Sequence, residues 1–138
     1  MIGLLAGLCL CGGVAGPYQP AVRLDPPPPA PVVVEIPQLW STDVVNGHCV
    51  GFEFLLGYYS PGWDARRMSG IMYRESRCQP TVARSDSGST GLLQILRSHC
   101  GWLSSRVDGP CNLTDPVYNI RAGAALWREQ GYGAWSTA

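Results

Sequence analysis

Lysine is missing altogether: the 10 basic residues of this 138-residue chain are all arginine, balanced by 10 acidic ones to a formal net charge of zero. Charged residues make up only 14% of the chain. So sparse and balanced a charge excludes an electrostatic nucleic-acid binder and an acidic disordered tail. No apolar run reaches the roughly 20 residues a membrane-spanning helix needs. There is no Gly-rich phosphate loop and no Ser/His/Asp arrangement for nucleophilic attack. The two histidines, His48 and His99, stand far apart with no acid at ligand spacing, so both read as structural or surface residues. No two cysteines of the C-terminal part lie at the short spacing of a zinc pair. Alternating apolar stretches long enough for an extended sheet are lacking, as are internal repeats.

What is abundant is proline, and it is uneven. Eight of the 12 prolines fall between Pro17 and Pro37. The run Asp25-Pro26-Pro27-Pro28-Pro29-Ala30-Pro31 cannot donate ladder hydrogen bonds and favours an extended rod, so residues 17–40 read as a stiff, disordered linker. Before it, Met1 to Gly16 is almost continuously apolar and ends in small residues (Val14-Ala15-Gly16). It reads as a signal peptide or a retained membrane anchor. A basic n-region is absent, since the first arginine is Arg23, and Leu8 and Leu10 before Cys9 and Cys11 do not fit a lipid-attachment box.

Residues 41–138 remain for one folded domain. They hold Cys49, Cys78, Cys100 and Cys111, which read as two disulfides. Three pairings are possible, and Cys49–Cys78 with Cys100–Cys111 is favoured because the second closes a short loop around Gly109-Pro110. Export and disulfides together point to an extracytoplasmic, secreted or cell-envelope location.

The coarse reading of the domain is mostly α. From Val44 to Tyr59, Phe52, Leu55, Leu56 and Tyr59 form one apolar stripe that Pro61-Gly62 stops. Asp64 caps a second helix running to about Arg77, with Met68, Ile71 and Met72 inward. Residues 83–90 are polar loop or a short hairpin. Gly91 to His99 reads as a third, nearly buried helix. A fourth runs from an N-cap at Thr114-Asp115-Pro116 to a stop at Gly131, with Ile120, Ala124 and Trp127 on one face.

Glu75 breaks the amphipathic rule. It sits four residues after Ile71, three after Met72 and seven after Met68, on the apolar face of the second helix. Desolvation there raises a carboxyl pKa and lets it hold a proton, as a general acid must. The competing reading turns it outwards, to pair with Arg74, Arg77 or Arg84. Gln94, a polar side chain in an apolar segment, needs a buried partner or a ligand.

Taken together, Ile71-Met72-Tyr73-Arg74-Glu75-Ser76, then Gly91-Leu92-Leu93-Gln94-Ile95, then Asn119-Ile120-Arg121-Ala122-Gly123 resemble the three successive motifs of the soluble lytic transglycosylase (SLT) domain of the lysozyme-like superfamily. Gln130-Gly131-Tyr132-Gly133-Ala134-Trp135 is also similar to the end of resuscitation-promoting-factor domains, which share the fold. The resemblance spans roughly Cys49 to Ala138. It implies a small, mostly α domain with a groove for peptidoglycan glycan strands, with Glu75 as the single acid/base. Ser76 would position it, Gln94 would bond substrate, and Asn119 would serve a structural and cleft-edge role. Tyr132 and Trp135 join them as substrate-binding candidates, although Trp102, Trp127 and Trp135 read first as core. The family's later Ala-Tyr-Asn motif, whose tyrosine approaches the glutamate, does not occur here; Tyr118, Tyr132 or Trp135 could take its place.

Lysozymes of the animal type carry a second acid two residues before the glycine of the middle motif, and that position is Ser89 here. Asp86 is the only carboxylate of the loop, in an ordinary Asp-Ser-Gly turn. Without a nucleophile the substrate's own 6-hydroxyl would close a 1,6-anhydro ring, giving a lytic transglycosylase; with Asp86 positioning a water, a hydrolytic muramidase would result. A non-catalytic peptidoglycan-binding module and a phage-encoded wall-degrading factor are the further readings. No cofactor or metal is expected, no nucleic-acid partner, a membrane contact only through an uncleaved 1–16, and a monomer. Asn112-Leu113-Thr114 fits a glycosylation sequon.

Overall fold

Short polar punctuation decides where each helix starts. A computed structural model describes residues 12–13, 15–18 and 38–135. The expected export segment 1–16 and linker 17–40 therefore lie largely outside the described residues. Trp40 stacks on Phe52 at 5.2 Å between ring centroids, so the folded part reaches back at least to that residue.

The apolar stripe expected from Val44 onward is helical only in its second half. Asn46 and Gly47 both take positive φ (49° and 72°), and Val45 pairs with His48 across them. Asn-Gly is the sequence of a two-residue hairpin turn, and it overrides helix propagation. A 3-10 turn, Val50–Phe52, then leads into α1, Glu53–Tyr59. Helix α2, Ala65–Ser76, is capped by the Asp64 carboxylate, which accepts from the Arg67 amide at 2.8 Å. Met68, Ile71 and Met72 are its buried face, as the spacing predicts. It ends where Arg77 and Cys78 turn left-handed (φ 55° and 64°).

The third helix expected over Gly91 to His99 does not form. Two-residue strands β1, Ser89–Thr90, and β2, Ile95–Leu96, pair antiparallel, with Thr90 opposite Ile95. Gly91 to Gln94 make the turn between them. A 3-10 turn, Arg97–His99, and a single helical turn, α3 (Cys100–Leu103), follow. The reason is backbone sign: Gly91 (φ 83°) and Gln94 (φ 48°) lie in the left-handed region that a helix cannot accommodate. Helix α4, Pro116–Gln130, starts as expected, with Asp115 accepting from the Tyr118 amide at 2.7 Å and Pro116 in the first turn. Gly131 stops it, and a 3-10 turn, Gly131–Trp135, closes the fold.

Helix α1 packs against both α2 and α4. Phe52, Leu56, Met68, Met72, Leu92, Leu93 and Ile120 are completely or almost completely removed from solvent. Each such side chain contributes about 1.5–3 kcal/mol through lost apolar hydration. Disulfides join Cys49 to Cys78 and Cys100 to Cys111, the favoured pairing. The first ties the residue before the Val50–Phe52 turn to the segment just after α2, and so fixes the helix end that carries Glu75. The result is a small, mostly α domain with one two-stranded sheet.

Candidate active site

Glu75 lies in the last turn of α2 and is half-buried. Burial pushes its carboxyl pKa up from the ordinary value; the positive charges of Arg84 and, less strongly, Arg74 pull it back without cancelling the rise. Among the described residues no group donates a hydrogen bond to its carboxylate or forms an ion pair with it. That leaves both oxygens available to a ligand. The backbone oxygen of Glu75 accepts from the Arg84 guanidinium at 3.3 Å, which ties the helix end to the hairpin that follows. Arg84 also donates its amide to Ser89 O at 2.9 Å, and Ala83 bridges Thr90.

The Gly91–Gln94 turn is the second component, and its polar groups are accounted for internally. Leu92 and Leu93 point into the core, so a turn that would ordinarily sit in water is buried, and its backbone must find partners. Asn119, fully buried on α4, supplies most of them. Its Oδ1 accepts from the Leu93 amide at 2.8 Å, while its Nδ2 donates to Thr90 O at 3.0 Å and Leu113 O at 2.8 Å. Trp135 Nε1 donates to Leu93 O at 3.0 Å. Gln94 Nε2 donates to Gly91 O at 2.9 Å and Val82 O at 3.1 Å, and its Oε1 accepts from Ser89 Oγ at 2.8 Å. Glycine is required at 91 because a Cβ there would collide with Leu113 O and the Asn119 amide.

The expected site residues therefore divide. Glu75 has an uncommitted carboxyl beside the hairpin. Ser76 is buried and returns its hydroxyl to Met72 O at 3.1 Å, within its own helix. Gln94 and Asn119 spend their amides on the turn, so their observed contacts are structural; Gln94 Oε1 keeps one lone pair for a ligand. Asp86 is exposed, and its Oδ1 accepts from the next amide, Ser87 N, at 2.9 Å, the geometry of a turn former. Tyr132 is not brought near Glu75. Its hydroxyl accepts from Asp64 N at 2.7 Å at the opposite end of α2, and Arg67 lies over its ring. At a rise of about 1.5 Å per residue that is roughly 16 Å away along the helix. Trp135 is core, and Tyr118 is buried on α4. Ser89 was legible only as the place where a second acid is missing; its role as the partner of Gln94 had no sequence signal.

Among the described residues no three His, Cys, Asp or Glu side chains are grouped to hold a metal. Against this geometry, a family model described as "Transglycosylase SLT domain" matches residues 59–135, more than half of the chain. The chain belongs to the SLT family. No curated protein and no solved structure matches it. The SLT domain is lysozyme-like and acts on peptidoglycan, and the matched span contains Glu75, the Gly91–Gln94 turn, Asn119 and Trp135. Peptidoglycan and two disulfides both belong to an oxidising space outside the cytoplasm. No helix among the described residues is long and apolar enough to cross a membrane.

Proposed function

We propose that this SLT domain is a lytic transglycosylase that cleaves the β-1,4 bond between N-acetylmuramic acid and N-acetylglucosamine, with Glu75 as its only acid/base. The observation that carries the reading is the Glu75 carboxyl, half-buried, raised in pKa by desolvation and without a protein hydrogen-bond partner among the described residues. Such a group holds its proton at higher pH than a solvated carboxyl and can hand it to a substrate oxygen.

In the proposed sequence Glu75 donates its proton to the glycosidic oxygen, and the C1–O bond breaks to release the N-acetylglucosamine hydroxyl. The muramoyl N-acetyl group stabilises the cation developing at C1. Glu75, now a carboxylate, takes the proton of the muramoyl 6-hydroxyl, whose oxygen bonds to C1 and closes the 1,6-anhydro ring. Glu75 ends protonated and no water is consumed. The exposed turn geometry of Asp86 supports this over a mechanism with a second carboxylate.

The test is Glu75→Gln in a cell-wall suspension. Wild type should clear it and the variant should not, while both still sediment with insoluble peptidoglycan. Mass spectrometry of the wild-type products separates the chemistries, since anhydro ends are lighter by one water than muramidase products. A wild-type chain that binds as its variant does and clears nothing would be a binding module.

A further inference from the structure

Most arginines of the described fold have a visible occupation. Arg66, Arg106 and Arg121 each meet a carboxylate, and Arg67 and Arg77 lie over tyrosine rings. Arg74, Arg84, Arg97 and Arg128 do neither: among the described residues no carboxylate pairs with them and all four are exposed, but of these only Arg84 and Arg97 come together. Both line one cavity of about 280 Å³ on the hairpin, together with Thr90. A second cavity, of about 220 Å³, shares Thr90 and Arg97 and continues to Asn112 and Thr114. The two adjoin at Thr90 and Arg97, which line both, and make one candidate furrow. Its Arg84 end is bonded to the backbone of Glu75, and Arg97 stands in the middle with Nε 3.5 Å from Thr90 Oγ1. Asp86, at the hairpin tip, directs one oxygen to its own turn.

We propose that this furrow binds the free carboxylates of the peptide stems carried by muramic acid, so that Arg97, with Arg84, selects peptide-bearing strands over naked glycan. The proposal rests on the transglycosylase reading above. A strand stripped of its stems offers hydroxyls, acetamido groups and one lactyl carboxylate held against each muramoyl ring, whereas a stem carries its carboxylates further out, where the guanidinium groups of Arg84 and Arg97, neither of them paired with a carboxylate of the described fold, can both be met. The stem leaves the sugar whose bond is cut beside Glu75, and Arg84, which lines the furrow, is bonded to the Glu75 backbone oxygen, so the furrow is within reach of the emerging stem. Its carboxylates take charge-assisted hydrogen bonds from Arg84 and Arg97. Thr90, Asn112 and Thr114 supply hydroxyl and amide partners for the peptide backbone.

The test uses the Glu75→Gln chain, which should bind without cutting, titrated calorimetrically with two soluble tetrasaccharides, one carrying stems and one stripped by an amidase, with the lactyl carboxylates so exposed converted to amides. The stem-bearing fragment should bind about tenfold more tightly, the size of one charge-assisted contact. Adding Arg97→Gln should erase that preference and leave affinity for the stripped fragment unchanged; Arg97→Lys should restore part of it. A third fragment, with its stem carboxylates converted to amides, should bind like the stripped one and needs no second substitution. Equal affinity for the first two fragments, or a preference that survives Arg97→Gln or amidation, overturns the proposal. Failure of the transglycosylase reading looks different: wild type would leave both fragments uncut while the Arg97-dependent preference persisted.

Discussion

At Glu75 two opposing influences meet, and desolvation outweighs the charges of Arg84 and Arg74. A carboxyl whose folded pKa lies above its unfolded value stabilises the fold fully at pH below the unfolded value. That stability is lost as pH rises through the folded one. Glu75→Gln cannot ionise, so the melting-temperature difference, variant minus wild type, should widen from acid to neutral pH; a constant difference would place the side chain in water. Arg84→Gln removes the larger positive influence. The Glu75 pKa should rise further, and the alkaline limb of the activity profile should move to higher pH, as clearing assays across pH would read. Tyr132→Phe should cost about 1 kcal/mol, the worth of one neutral hydrogen bond, by thermal melting, with KM unchanged because its hydroxyl serves the start of α2.

The elements show where the sequence was readable and where it was not. Asp64 and Asp115 announce their helices because a cap is a local transaction between a side chain and an amide three residues on. Asn46-Gly47 was just as local, and its turn signal was masked by the apolar stripe that follows. Gly91-Leu92-Leu93-Gln94-Ile95 could not be read from periodicity, since a buried turn and a buried helix show the same unbroken apolar run. Its true state depends on Asn119 and Trp135, which reach Leu93 across 26 and 42 residues. Gln94 reads from the sequence as needing a buried partner or a ligand, and the structure supplies partners in Ser89, Val82 and Gly91. Gly91→Ala should therefore destabilise by about 3 kcal/mol or more in denaturant unfolding, from positive φ and the collision with Leu113 O together. Asn119→Ala, which orphans buried backbone groups, should cost about as much.

For the whole molecule, the two disulfides staple a small domain. Cys49–Cys78 spans 29 residues, and closing such a loop is worth about 3–4 kcal/mol on the chain-entropy account. Replacing both cysteines by alanine should lower stability by that order and loosen the end of α2, so activity should fall more steeply with temperature than in wild type. The bonds to Leu93 carry a further consequence. Its carbonyl is held by Trp135, a residue near the end of the described chain. A polypeptide delivered amino end first thus has its glutamate, hairpin and middle turn long before the indole that locks them. The last clasp fastens only once residue 135 has been made. The middle turn therefore waits for a residue made 42 positions after it.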